Sequence, residues 1–361
     1  VKRKTTRMGS SVMVAPANGG PPRVVVDPQW GVLGGLQWAP DGSRLSYILE
    51  TPTRPGELMI HSLESGASTR VTDAMPVPGL EGRFVMPERV EYESGGMVIP
   101  SYLYRPPTTT ADEAGQHPAI VWTHGGPTSQ WEDTFEPAIQ YFTQRGYVVL
   151  LPNVRGSSGF GREFEEANDG CWAKCDLDDA IAGAEHLRSL PFVRGEHIGT
   201  TGSSYGGFMS CAAAAFGGET FQAVIAASGY CDRVSFFEDG EFRHLQQLRK
   251  EMGDLEEHRA RYLEISPYYH LRNVQTPVFV LHGEGRYPDS PQMKEFFREL
   301  QRLYKPARYK AYPGENYYVS SFENTQAMLS DMLAFFDFYL QGKDTTLPGV
   351  AYLEDWESRS R

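Results

Sequence analysis

Basic residues are in short supply: 34 Lys and Arg stand against 46 Asp and Glu, a net charge of -12. Nucleic acid and anionic membrane surfaces both call for a basic face, so neither is expected as a partner. Long apolar runs are missing as well. No stretch reaches the roughly 20 residues that cross a bilayer, so no membrane span is expected. Val1 to Ser10 is basic, but no continuous apolar segment follows it. A secretory leader is therefore not expected, and the expected compartment is the cytoplasm. Cysteine is scarce, with four in 361 residues, which does not suggest a disulfide framework. Cys171 and Cys175 are spaced C-x3-C without a second pair or a nearby His, so no metal site is expected. Cys211 and Cys231 read as core residues. No cofactor is expected, and no internal repeat or low-complexity segment is present. Histidine numbers nine, and none follows His282.

What is present suits a folded enzyme-sized chain. Hydrophobic residues at 40% and charged residues at 22% are ordinary for a globular protein. The length has room for one large domain of about 250 residues and a smaller piece. The first 75 or so residues are rich in strands and turns. Ser11–Val14 and Arg23–Val26 flank Asn18-Gly19-Gly20, and Leu45–Leu49 and Leu58–Leu63 are further strands. A Pro- and Gly-containing connector covers Asp73 to Glu88. From about Val90, apolar strands alternate with amphipathic helices, as in Ala119–Thr123, Pro137–Gln144, Tyr147–Leu151 and Leu177–Leu187. That alternation predicts an α/β fold with a doubly wound, mostly parallel sheet covered on both faces. The expected domains are 1–78, 79–345 and a tail of 346–361. Between Cys231 and His270 the alternation stops. Phe242–Met252 and Leu255–Leu263 are charged and helical, suited either to a cap over a site or to a solvated excursion.

Gly202-Ser203-Ser204-Tyr205-Gly206 has the form of a nucleophile elbow. The strand His197–Thr201 runs in and the helix from Gly206 runs out, which is the context the motif needs. Glycine on either side of Ser204 leaves room for the tight turn. The Tyr205 N–H, at the helix start, is the first expected oxyanion donor. The second is expected from Gly125 or Gly126, in the turn His124-Gly125-Gly126-Pro127 after Ala119–Thr123.

Four segments in this order resemble the prolyl oligopeptidase family, in particular its acylaminoacyl-peptidase-like branch. They are His124–Pro127, Asn153-Val154-Arg155-Gly156-Ser157-Ser158-Gly159-Phe160-Gly161, Gly202–Gly207 and Tyr312-Pro313-Gly314-Glu315. The resemblance runs from about Gly79 to Gly342. It implies an α/β-hydrolase fold and a serine hydrolase that cleaves peptides, and sometimes esters, through an acyl-enzyme. Trp38-Ala39-Pro40-Asp41-Gly42-Ser43-Arg44-Leu45 resembles a blade of the propellers found in such proteins. The chain holds little more than one blade, and a closed propeller needs at least four. Exposed sheet edges then need cover, from which we expect a homo-oligomer unless the chain is a fragment of a longer protein.

The resemblance fails at the base and the acid. The family His follows Tyr-Pro-Gly-Glu-x, and here that position is Tyr317. The family acid stands in His-Gly-Glu-x-Asp, and here His282-Gly283-Glu284-Gly285-Arg286 puts Arg286 in its place, with Asp289 a little further on. Three readings follow. Ser204 has a substitute base: Tyr317 ionised with help from Arg286, or His282 or His124 swung inward. Ionising a tyrosine at neutral pH costs roughly 4 kcal/mol before any help. Alternatively, the site handles acyl groups without hydrolysis, or the chain is a catalytically dead hydrolase that binds or assembles. His124, Tyr318 and His282 are candidate substrate contacts, the substrate being a small molecule or a peptide. If Arg286 lines the site, a carboxylate-bearing substrate follows.

Overall fold

The computed structural model describes residues 2–6, 8–75, 77–107, 116–239, 242–285 and 290–351. Seven strands make up the amino-terminal part. β1 (Lys2–Thr6), β2 (Gly9–Val14) and β3 (Arg23–Val26) form one antiparallel sheet. β4 (Val32–Trp38), β5 (Arg44–Thr51), β6 (Arg54–Ser62) and β7 (Ser68–Arg70) form a second. The second is a single four-stranded blade-like sheet, the amount expected. A small core of Val12, Leu33, Leu45 and Tyr47 lies between the two. Part of the apolar face is thus covered by the chain itself, while Trp38 and Ile48 stay exposed.

The large sheet begins with the hairpin β8 (Glu88–Ser94) and β9 (Met97–Tyr104). β10 (His117–Thr123), α1 (Pro137–Thr143), β11 (Val148–Pro152), α2 (Arg162–Glu165) and α3 (Cys175–Ser189) follow. Next come β12 (Val193–Ser203), α4 (Tyr205–Phe216) and β13 (Ala223–Ala227). α5 (Arg233–Asp239), α6 (Phe242–Met252) and α7 (Leu255–Ile265) leave the sheet. β14 (Val278–Gly283), α8 (Ser290–Arg302), β15 (Ala307–Tyr312) and α9 (Phe322–Gln341) complete it. The strand order is β15-β14-β13-β12-β10-β11-β9-β8, with the five pairs from β15 to β11 parallel and β9 and β8 antiparallel.

This is the α/β-hydrolase architecture, and its cause is visible in the strands. Alternate residues of each central strand feed opposite cores. Ile120, Val149 and Ile225 pack with Phe142, Phe335 and Phe336 of α1 and α9. Val121, Leu150 and Val224 pack with Leu177, Phe208 and Phe296 of α3, α4 and α8. Truncating one of these buried rings to Ala costs about 3–5 kcal/mol. α9 stops at Gly342, whose φ of 64° is the left-handed cap that glycine adopts without strain. No described helix is long and apolar enough to cross a membrane.

Asp133 ties the amino-terminal sheets to the large one. One carboxylate oxygen accepts from Gly31 N at 3.2 Å and Arg89 at 2.6 Å, and the other accepts from the Tyr102 hydroxyl at 2.5 Å. Cys211 and Cys231 are buried in the core as expected, but the expectation of no disulfide framework is corrected. Cys171 pairs with Cys175 and Cys211 with Cys231, at Cα separations of 5.8 and 6.2 Å. Sequence spacing does not reveal this: the second pair depends on α4 packing beside the segment after β13.

Candidate active site

Ser204 sits alone between β12 and α4, with φ 61° and ψ -117°. A side chain at positive φ is strained, and such strain persists only where the surroundings enforce it. Here they do. A Cβ at Gly206 collides with the Thr123 carbonyl, and one at Gly202 comes within 2.5 Å of the same oxygen. A Cβ at Gly207 meets the Ala227 carbonyl. Ser204 N donates to that carbonyl at 3.2 Å, which pins the elbow to the end of β13. β10 pairs with β12 so that Thr123 stands beside Gly202, bringing the His124–Pro127 turn to the same strand ends. Gly125 lies against the nucleophile: a Cβ there would be 3.5 Å from Ser204 Cβ and 4.0 Å from Oγ. Only backbone approaches Ser204 from this side, as a backbone oxyanion hole requires. Tyr205 N–H is the first free amide of α4.

The two histidines named as swinging bases are occupied elsewhere. His124 Nδ1–H donates to the Gly125 carbonyl at 2.6 Å, and Nε2 pairs with Ser157 Oγ at 2.8 Å. Burial pushes its pKa down to about 4, so the ring is neutral. His282 Nδ1–H donates to the Gly283 carbonyl, Nε2 pairs with the Tyr309 hydroxyl at 2.9 Å, and burial lowers its pKa. Both rings brace the backbone of the strand ends. Neither hydrogen-bonds the Ser204 hydroxyl among the described residues.

The β15–α9 loop is strongly framed. Glu315 is buried, and its carboxylate accepts from Ser320 N at 2.9 Å, Ser321 N at 3.0 Å, Asn324 Nδ2 at 2.9 Å and both serine hydroxyls. These bonds, led by the Ser321 hydroxyl, lower its pKa to about 2. Gly283 and Gly285 leave no room for a Cβ beside Asn316. Ser228 Oγ donates to the Tyr317 carbonyl at 2.7 Å. The Tyr317 ring is half-buried, 5.7 Å from Tyr230 and 4.5 Å from Tyr318 between centroids. Tyr318 is 56% exposed. Arg286 and Asp289 lie outside the described residues. Among the described residues, none hydrogen-bonds the Ser204 hydroxyl.

A pocket of about 60 Å³ opens beside Ser204, walled by Trp172, Tyr205, Tyr230, Arg233 and Phe236 and closed by Gln247 and Leu248 of α6. The Cys231–His270 excursion therefore forms part of the site, in agreement with the cap reading. Apart from Tyr205, named for its backbone N–H, sequence reasoning missed these wall residues. Its available signal was the aromatic and basic content of Tyr230-Cys231-Asp232-Arg233-Val234-Ser235-Phe236, directly after a strand end. Tyr205 is anchored from behind by its hydroxyl on Asp176, a buried acid whose pKa burial raises to about 7. The long Asn153–Gly161 motif also has a structural explanation. Arg155 grips buried Asp179 with Nε at 2.9 Å and Nη2 at 2.6 Å, locking that loop to α3.

Comparison with known proteins agrees with this geometry. The sequence profile of the prolyl oligopeptidase family matches residues 133–343. The uncharacterized peptidase YuxL of Bacillus subtilis is 28% identical over 295 residues, covering 78% of this chain and 43% of that protein. A probable dipeptidyl-peptidase 5 of Aspergillus clavatus is 29% identical over 251 residues, covering 68% of this chain and 34% of that protein. The acylaminoacyl peptidase of Pyrococcus horikoshii superposes with a TM-score of 0.84 at 22% identity, over 96% of this chain and 55% of its own. A puromycin-hydrolyzing peptidase of Mycobacterium tuberculosis superposes with a TM-score of 0.86 at 23% identity, over 96% and 54%. The chain thus spans about half or less of the length of these proteins.

Proposed function

The chain belongs to the prolyl oligopeptidase family, and from that premise we propose that Ser204 is the nucleophile of a serine-hydrolase-type acyl site. The substrate is a small peptide or amide, or an ester. The observation that carries the reading is the strained Ser204 turn with the Gly125 backbone against it and a pocket at its side. In the proposed reaction Ser204 Oγ attacks the carbonyl carbon, and the N–H groups of Tyr205 and of Gly125 or Gly126 hold the oxyanion. The C–N or C–O bond then breaks, and water releases the acyl group. Tyr317 occupies the position of the base, and Arg286 that of the acid, with Asp289 nearby in sequence. The Ser204 proton passes to ionised Tyr317 or to solvent, a proton from the same source goes to the leaving amine or alkoxide, and turnover is slow. An oxyanion hole with binding alone sustains roughly 10³–10⁴-fold acceleration over water.

A second reading has its own support. The Ser204 hydroxyl has no hydrogen-bonded base among the described residues. A dead hydrolase that binds or assembles fits that fact. Labelling with a fluorophosphonate probe separates the two. Ser204-dependent labelling, lost in Ser204→Ala, is the expected result. No labelling, together with no turnover on a panel of p-nitrophenyl esters, sinks the enzyme reading.

The division into 1–78, 79–345 and 346–361 remains part of the proposal, as does a homo-oligomer that covers the edges of the amino-terminal sheets. A light-scattering mass near the 40.4 kDa of one chain removes the oligomer.

A further inference from the structure

A disulfide closes the turn that carries one wall of the Ser204 pocket. Residues 168–175 lie between α2 and α3. Trp172, in this turn, lines the pocket with Ser204 and Tyr205 and packs edge-on to the Tyr205 ring, 5.1 Å between centroids. Asp176, directly after the turn, accepts the Tyr205 hydroxyl. Gly170 N–H donates to the Glu251 carbonyl at 2.7 Å, which ties the same turn to α6 of the cap. Cys171 and Cys175 bracket Trp172, Ala173 and Lys174, and their bond makes a small ring of the segment. Inside it, Lys174 N–H and Cys175 N–H both donate to the Cys171 carbonyl, at 3.1 and 3.2 Å. Ala173 is buried at φ 58°, in the left-handed region. A residue with a side chain stays there only where its surroundings hold it, and covalent closure of the ring is one such hold.

The two disulfides differ in access. Cys211 and Cys231 are 0% and 1% exposed, inside the core. Cys171 and Cys175 are half-buried, at the start of α3. Exchange requires a thiolate to reach a disulfide sulfur, so the reachable pair reacts first. From these features we propose that Cys171–Cys175 is a thiol-exchange site through which a dithiol reductant opens the wall of the Ser204 pocket. The reductant's thiolate attacks one sulfur, the S–S bond breaks, and the other cysteine leaves as a thiolate. The reductant's second thiol then expels the first cysteine and closes a disulfide of its own. Two electrons pass from the dithiol to the pair, and the two protons of the dithiol end on Cys171 and Cys175. With the ring open, Ala173 relaxes out of the left-handed region and carries Trp172 away from Tyr205. The consequence for acyl chemistry rests on the Ser204 reading above, while exchange and the release of Trp172 are measurable without it.

The test treats the full chain with graded dithiothreitol, traps free thiols with iodoacetamide and locates them by peptide mass spectrometry. Cys171 and Cys175 are expected to be alkylated at least about tenfold faster than Cys211 and Cys231. Once the first pair alone is open, acrylamide quenching of Trp172, read as the difference between wild type and Trp172→Phe, is expected to rise twofold or more. Diamide, which reoxidises the pair, reverses the rise. Cys171→Ser with Cys175→Ser is expected to show the raised quenching without dithiothreitol and no further change with it. Should that variant fail to fold, graded reduction of the wild type decides alone. The proposal is overturned if the buried pair opens as fast, if Trp172 quenching rises less than twofold, or if the folded double variant quenches like the oxidised wild type or still responds to dithiothreitol. Fluorophosphonate labelling reads the acyl site separately. Where Ser204 labels, opening the pair is expected to slow it threefold or more, and an unchanged rate overturns control of the pocket. No labelling in either state defeats the hydrolase reading and leaves the exchange site standing.

Discussion

Two turns follow parallel strands of the same sheet, β12–α4 with Ser204 and β15–α9 with Tyr317, and both have framed backbones. At β12–α4 the rigidity comes from glycines: a side chain at 202, 206 or 207 runs into the carbonyls of Thr123 or Ala227. At β15–α9 it comes from polar side chains: Glu315 gathers the amides of Ser320 and Ser321 into one cluster. The first turn presents the side chain its family pattern requires, Ser204. The second presents Tyr317, which we propose stands where the family resemblance implies a His. A backbone frame and the chemistry mounted on it are therefore separable. The elbow glycines report on the fold, because the chain cannot make the turn without them. They do not report on turnover. The frame at the second turn is built by Glu315 and its partners and not by the side chain at 317.

The strongest way to break this comparison is at Gly206. Gly206→Ala drives a methyl group into the Thr123 carbonyl, a backbone atom that cannot swing aside. The expected loss is about 3 kcal/mol or more, seen as a large drop in Tm or as insoluble protein. A Gly206→Ala protein that melts like the wild type shows that the elbow glycine is not a fold constraint. The second turn is tested by restoring its missing chemistry. Arg286→Asp with Tyr317→His supplies the acid and the imidazole that the family pattern places there. General base catalysis contributes roughly 10²–10⁴-fold, so ester turnover is expected to rise by at least 100-fold. If the double variant folds and gains nothing, the loop does not hold position 317 toward Ser204.

The sequence revealed the nucleophile half more completely than the base half, for a physical reason. An elbow is local: strand, Gly-x-Ser-x-Gly and helix lie within about twenty residues, and the strand and helix periods mark its ends. The parallel sheet was legible for the same reason, since Ala119–Val121 and Val148–Leu151 are continuous apolar runs. The pocket was not. Trp172, Tyr205 and the Tyr230–Phe236 segment come from three separate stretches and meet only after the sheet is assembled. The cysteine pairs were hidden likewise, Cys211 and Cys231 being 20 residues apart and joined by packing. His124 and His282 looked free to move because a sequence does not show a second partner. Each proves bonded through both ring nitrogens.

A smaller effect sharpens the account of the second turn. Glu315 has a pKa lowered to about 2 from its ordinary value near 4.5, first by the Ser321 hydroxyl and then by Asn324 and the amides. A lowered acid stabilises the fold above its ordinary value and loses that contribution as pH falls through the lowered one. The wild type is therefore expected to lose stability between about pH 4.5 and 2. Glu315→Gln is expected to melt below the wild type at pH 7, and the two Tm curves should converge toward pH 2. Parallel curves across that range show that the carboxylate does not hold the loop.

The smallest expected effect is at the Tyr317 hydroxyl. The ring packs on Tyr230 and Tyr318, and its carbonyl is held by Ser228. As a base it must first lose a proton, which costs roughly 4 kcal/mol at neutral pH. Packing needs the ring and not the hydroxyl. Tyr317→Phe is therefore expected to leave the fluorophosphonate labelling rate within about threefold of wild type and the Tm close to it. A tenfold or greater loss of labelling at unchanged Tm reverses the assignment. The phenol then does the work of the missing imidazole, and the two turns differ in the identity of their chemistry rather than in its presence.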